Sequence, residues 1–193
     1  MSLQFSVINH QLHQARQVSS PNQSARNSAG SIDLLVIHNI SLPPGEFGGT
    51  DIDDLFCNCL QVAKHAFFEE IAELRVSAHL LINREGLVTQ YVPFDRKAWH
   101  AGESCFSGRK NCNEFSIGVE LEGTDTIPFT EIQYQVLIEV AHALMNEYPA
   151  ISADRIVGHS DIAPGRKTDP GPCFDWERFR TALQKIDSGK IQP

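Results

Sequence analysis

Asp33-Leu34-Leu35-Val36-Ile37-His38 holds the unbroken apolar run Leu34 to Ile37, ends on an imidazole, and reads as a buried strand feeding a loop. A second imidazole follows Arg155-Ile156-Val157-Gly158. The stretch after it runs His159-Ser160-Asp161-Ile162-Ala163-Pro164-Gly165-Arg166-Lys167-Thr168-Asp169-Pro170-Gly171-Pro172. From Gly158 onward, three prolines and three glycines stiffen that stretch. A mere connection needs no such stiffness. A metal site does, because ligand distances tolerate about 0.2 Å of error. His38, His159 and Asp169 would supply two imidazoles and one carboxylate. Catalytic zinc takes three protein ligands and leaves its fourth position to water. Strand ends at loops are where α/β domains build their sites.

Working outward, the residues around 1–31 are rich in Gln, Asn, Ser and Ala from about residue 11, and they suggest an irregular arm. Ser41 to Asp51 holds Pro43-Pro44-Gly45 and Gly48-Gly49, too many breakers for regular structure. Residues 42–60 therefore suit either a mobile flap or a rigid packed loop beside His38. Ile52 to Glu73 is mostly helical in composition, with mixed periodicity. Ser77 to Val92 has two apolar runs flanking Asn83-Arg84-Glu85-Gly86, the pattern of a hairpin. Glu114 to Glu122 alternates, sending Phe115, Ile117, Val119 and Leu121 to one face and Ser116, Gly118, Glu120 and Glu122 to the other. Thr130 and Gln133 form a capping box ahead of Leu137, Val140, Ala141, Leu144 and Tyr148 at helical spacing, and Pro149 stops that helix. A last helix runs from Asp175 to about Ile186. Strands and helices mixed in this way predict one α/β domain over 1–193, a single mixed central sheet flanked by helices.

The 193 residues carry 16 Lys and Arg against 24 Asp and Glu, a net charge of −8. That balance argues against nucleic acid, whose phosphates call for clustered cations, and against an anionic membrane surface. Met1 to His10 has neither a basic segment nor a long apolar one, so no export signal is expected, and no span follows. Five cysteines cannot all pair within one chain. Reduced thiols in a cytoplasm are the expectation. Cys57-Asn58-Cys59 is too closely spaced for a zinc knuckle, and no second pair follows it.

Each candidate has a plain alternative. His10 and His13 fall in the arm, and His65 and His142 in helical stretches where surface imidazoles are ordinary. His79, inside a strand, reads as a hydrogen-bonded core residue. Asp169 alone would be a turn former ahead of Pro170-Gly171, and Lys167 a solvated charge. Glu120, on the polar face of an apolar strand, is either paired with a cation or placed in a cleft. Partial burial there would raise its pKa toward the range of a general base. Trp99-His100-Ala101-Gly102 suits a groove wall or a packed corner. Arg75 and Arg109 are surface charges or clamps for a substrate carboxylate.

Five motifs in unbroken order carry a resemblance: Leu35 to Gly45, Arg75 to His79, Trp99 to Gly102, Gly118 to Gly123, and Gly158 to Pro164 with Lys167 to Pro172. From about residue 15 to the last helix the chain resembles the anhydro-muropeptide amidases of N-acetylmuramoyl-L-alanine amidase family 2. These share their fold with phage amidase lysozymes and peptidoglycan recognition proteins. The resemblance implies zinc on His38, His159 and Asp169, with Glu120 and Lys167 as the catalytic pair. It places Asn39, Arg75 and Trp99 along the substrate cleft. It implies a small anhydro-muropeptide substrate, recycled from cell wall in the cytoplasm and cut between anhydromuramic acid and L-alanine, with no obligatory protein partner. Where a β-lactamase is inducible, such cleavage would lower the inducing muropeptide. One departure is Asn111, where a basic residue is expected before Cys112-Asn113; Arg109 stands nearby to substitute. Two rivals remain, a non-catalytic peptidoglycan-binding module on the same fold and an envelope amidase acting on intact wall. The first would lack a ligand, and the second would want an export signal or a wall-binding domain.

Overall fold

The computed structural model describes residues 5–27 and 32–189. Six strands form the central sheet: β1 (Arg16–Gln17), β2 (Leu34–Ile40), β3 (Leu80–Ile82), β4 (Val88–Gln90), β5 (Ser116–Glu122) and β6 (Ile156–Gly158). Their order across the sheet is β6-β2-β5-β3-β4-β1. The first four are mutually parallel, β3 and β4 make the antiparallel hairpin, and β1 runs parallel to β4. The sheet is therefore mixed, as the sequence pattern predicts.

The two long strands lie at the centre because both of their faces are covered, and every residue of β5 is buried. Leu35, Ile37, Ile117, Val119 and Leu121 join Leu80 and Ile82 on one face, under α3 (Glu131–Glu147) and α5 (Trp176–Gly189). Each aliphatic side chain fully removed from water there contributes about 1.5–3 kcal/mol. The capping box forms: Thr130 Oγ1 accepts from the Gln133 N–H at 3.2 Å, and Gln133 Oε1 accepts from the Thr130 N–H at 3.0 Å. Gln133 also donates to the carbonyls of Ile82 and Glu122, tying the start of α3 to the sheet. On the opposite face Leu34 and Val36 pack with Ala101, Cys112, Phe115 and Val157. Further along that face, α1 (Asp51–Phe56) and α2 (Phe67–Ile71) close over Leu81, Tyr91 and Val92.

Three expectations are modified. Phe115, expected on the face of Ile117, Val119 and Leu121, packs instead with Leu34 and Val36, because it precedes the strand that begins at Ser116. The arm is not irregular throughout: β1 edges the sheet, Val7–Ile8 pairs with Gln11–Leu12, and Gln23–Ala25 pairs with Arg96–Ala98. Arg26 is stapled down by the carbonyls of Phe94, Asn113 and Ser116, and burial lowers its pKa to about 10. The part of the arm at 1–4 and 28–31 lies outside the described residues. Ile52 to Glu73 breaks into α1, one turn of 3-10 helix at Val62–Lys64, and α2, rather than one long helix. Within 42–60, Leu42, Ile52, Leu55 and Phe56 are buried and Asp53 is bonded to Arg16 and Tyr91, so this half of the segment is packed. All five cysteines are free thiols. No described helix is long and apolar enough to cross a membrane.

Candidate active site

His38 lies on β2 directly opposite Glu120 on β5, so the parallel register alone sets an imidazole beside a carboxyl on one face. β6 pairs with the other edge of β2 and delivers His159 as the first residue of the short helix α4 (His159–Ile162). The Asp161 carboxylate accepts from the Gly158 N–H at 2.7 Å and fixes the entry to that helix. The loop beyond returns because the Ser160 N–H donates to the Asp169 carbonyl at 3.0 Å. A side chain at 158 would not fit, since its Cβ would sit 2.8 Å from Cδ of Pro170. Glycine and proline thus hold Asp169 against the histidine pair.

The three side chains converge. His38 Nδ1 is 3.0 Å from His159 Nδ1, and Asp169 Oδ2 is 3.0 Å from each. Two imidazoles and one carboxylate facing one point form a group able to hold a metal ion. The donor set fits zinc: bonds of about 2.05 Å in a tetrahedron separate ligands by about 3.3 Å, a few tenths from the spacing here. Both outer nitrogens are also engaged, His38 Nε2 with His100 Nδ1 at 2.9 Å and His159 Nε2 with the Ala101 carbonyl at 3.2 Å. Burial pushes the His38 pKa down to about 4, which keeps the ring neutral and able to ligate. Burial alone would raise Asp169, but the facing His159 and His38 rings outweigh it and hold the carboxyl below its ordinary range.

Glu120 is buried, and its Oε2 has no hydrogen-bond partner among the described residues. Burial raises its pKa well above the usual carboxylate value; Asp169 adds to the rise and Lys167 opposes it. A cavity of about 400 Å³ opens over these groups, lined by the ligand triad, Glu120 and Lys167. Its far wall is apolar, from Phe67, Ile71, Leu74 and Val76. Asn39 and Trp99 also line it, Asn39 donating to Asp125 at 2.7 Å and the Trp99 indole N–H to Ser24 at 3.2 Å.

Two of the expected cleft residues are placed elsewhere. Arg75 does not line the cavity; its guanidinium donates to the carbonyls of Ala72 and Leu74. Arg109 pairs with Asp33 at 2.5 Å and lies over the Phe115 ring, 3.7 Å from its centroid. Asp33 precedes the first residue of β2, so Arg109 sits at the end of the sheet remote from His38. His79 is the buried, hydrogen-bonded core histidine expected, accepting from the Gly118 N–H at 3.0 Å and facing the Arg96 carbonyl at 3.1 Å. His100, read from the sequence only as part of a groove wall or a packed corner, touches a ligand residue. It is buried in contact with His38, and burial holds its pKa well below the ordinary histidine value. The apolar wall from α2 and the residues after it is equally illegible, because Phe67, Ile71 and Leu74 look like one stripe of a longer helix.

A mixed sheet carrying a ligand triangle beside a buried acid suits a metal-dependent hydrolase. Residues 28–172 match the family model described as N-acetylmuramoyl-L-alanine amidase, and the chain belongs to that family. It is 58% identical over 179 residues to the 1,6-anhydro-N-acetylmuramyl-L-alanine amidase AmpD of Salmonella typhimurium, covering 93% of this chain and 95% of that one. The crystal structure of a selenomethionine AmpD derivative superposes with a TM-score of 0.89 at 55% identity, covering 92% of this chain and 98% of that chain. The amidase AmiD of Escherichia coli, solved with anhydro-N-acetylmuramic acid-L-Ala-D-gamma-Glu-L-Lys as its substrate, matches at TM-score 0.58 and 30% identity. That match covers 82% of this chain and 60% of AmiD.

Proposed function

We propose that this chain, acting as one amidase domain, is a zinc-dependent hydrolase of anhydro-muropeptides. It cuts the amide between the lactyl group of anhydro-N-acetylmuramic acid and L-alanine as cell-wall fragments are recycled in the cytoplasm. The observation that carries this reading is the convergence of His38, His159 and Asp169 at 3.0 Å beside the buried, unpartnered Glu120. The 58% identity, over nearly the full length, to a relative named for this reaction supports the substrate.

His38, His159 and Asp169 would hold the metal. Zinc, when bound, supplies Lewis acidity and lowers the pKa of a water from about 16 toward 7. Glu120 takes the proton of the attacking water and passes it to the departing alanine nitrogen, which leaves as an amine. Its raised pKa suits both halves of that transfer, since a base too weak at neutrality could not hold the proton in between. Lys167 places an ammonium beside the carbonyl oxygen as negative charge develops there. One such contact is worth about 3–4 kcal/mol of transition-state stabilisation. The apolar wall and Trp99 exclude water from the reacting amide. Where a β-lactamase is induced by the intact muropeptide, this cleavage lowers the inducer.

Mass spectrometry of products from an anhydro-muropeptide and from a reduced, non-anhydro muropeptide, run side by side, tests the reading. The expected result is release of the free peptide and anhydro sugar from the first substrate. Intact anhydro-muropeptide after incubation with zinc-loaded protein would exclude it.

A further inference from the structure

We propose that His100 is a positioning residue for metal binding: it accepts the Nε2–H of His38 and so turns the bare Nδ1 of that ligand toward the metal. The inference rests on the amidase reading of the same site and assigns a role to a residue outside the ligand set. A neutral imidazole carries one N–H, so the ring nitrogen that ligates a metal and the one that bears hydrogen are set together. His38 Nδ1 faces His159 and Asp169, which leaves its hydrogen on Nε2, 2.9 Å from His100 Nδ1. His100 Nδ1 must then be the acceptor, and its own hydrogen sits on Nε2, 3.1 Å from Ser116 Oγ. The Ser116 hydroxyl in turn donates to the Cys112 carbonyl at 2.6 Å. Every hydrogen in the row from His38 to the backbone has one place, and the row runs in one direction only.

The sheet is shaped to hold this ring. A Cβ on Gly118 would lie 2.5 Å from the His100 Cγ and 2.6 Å from its Nδ1, so no other residue at 118 leaves the ring where it is. The Gly118 N–H meanwhile anchors His79, whose ring packs edge-on against His100 with centroids 5.7 Å apart. The backbone N–H groups of His100 and Ala101 are both held by the Asn113 side chain, at 3.2 and 2.8 Å. Ala101 carries the second half of the device, because its carbonyl accepts the Nε2–H of His159. One short segment therefore orients both histidine ligands, one through a side chain and one through a carbonyl.

The test is zinc affinity, measured by competition with a chelator, for the wild type, His100→Asn and His100→Phe. An asparagine keeps an amide oxygen close to the Nδ1 position, whereas phenylalanine keeps the ring and loses the acceptor. Removing such an outer partner typically costs 10–100-fold in metal affinity. The Phe variant should lose that much and the Asn variant should recover most of it, although a space-filling role would produce the opposite order. Melting of the metal-free proteins separates loss of affinity from loss of fold. Wild-type affinity in the Phe variant, or no advantage of Asn over Phe, overturns the proposal. Histidine nitrogen NMR of the zinc-loaded wild type needs no variant: His100 must show a bare Nδ1 and a protonated Nε2, and the reverse tautomer overturns it. A wild type that takes up no zinc at all would instead fail the amidase reading beneath it.

Discussion

Replacing Glu120 by Gln keeps the volume and one carbonyl oxygen but removes the base. The carboxyl is 9% exposed, lies opposite His38 across the strand pair, and has one oxygen without a partner. The substitution therefore opens no cavity and breaks no hydrogen bond at Oε2. Turnover should fall by about 10² to 10⁴, which is about 2.7–5.4 kcal/mol of barrier, while zinc binding and KM change little. A second effect follows from burial. Because the folded-state pKa is raised, the native chain holds a proton that the unfolded chain has lost between the ordinary carboxyl pKa and the raised one. Stability of the metal-free wild type should thus fall as pH rises through that window, and this part of the fall should vanish in Glu120→Gln. Steady-state kinetics on an anhydro-muropeptide and denaturant melts at about pH 4.5 and 7.5 read the two effects. Near-normal turnover would refute the assignment of the base. An identical loss of stability with pH in both proteins would refute the burial argument.

Lys167→Met removes the charge that lowers the Glu120 pKa, so the acid limb of the kcat/KM profile should move to higher pH. Turnover should also drop about 10²–10³-fold; an unmoved limb would count against the coupling. Gly158→Ala puts a methyl 2.8 Å from Pro170 Cδ and should cost about 1–3 kcal/mol in denaturant melts, with weaker zinc uptake as Asp169 is displaced. Unchanged zinc affinity would show that Asp169 does not depend on that contact. Thr130→Ala should cost about 1 kcal/mol by loss of the cap yet leave turnover unchanged, because α3 covers the sheet face away from the site. A parallel fall in activity would contradict that separation.

Much of the architecture is legible because its signals are local. The aliphatic run before His38, the alternation through β5 and the Thr130–Gln133 box each need only a few adjacent residues. The positions of His38 and His159 at strand ends come from the same runs, and the stiff loop around Asp169 announces itself by proline and glycine. What stays hidden depends on contacts across long sequence distances. The strand pieces of the arm are two or three residues long and pair with partners far along the chain, so no periodicity marks them. Arg109 looks available for a substrate carboxylate until Asp33, 76 residues away, is found beside it. His100 meets His38 across 62 residues, and the only local hint is the glycine at 118 that makes room for it. Alternation correctly faced Glu120 away from the core helices, but period 2 does not describe the cavity it lines with Leu55, Phe67 and Asp169.

Metal content of the purified protein, measured beside that of His159→Ala, tests the central claim most directly. One zinc per chain is expected in the wild type, with loss of that zinc in the variant together with its hydrolysis of anhydro-muropeptide. Full zinc occupancy in His159→Ala, or full turnover by wild type stripped of metal, would contradict the site described here.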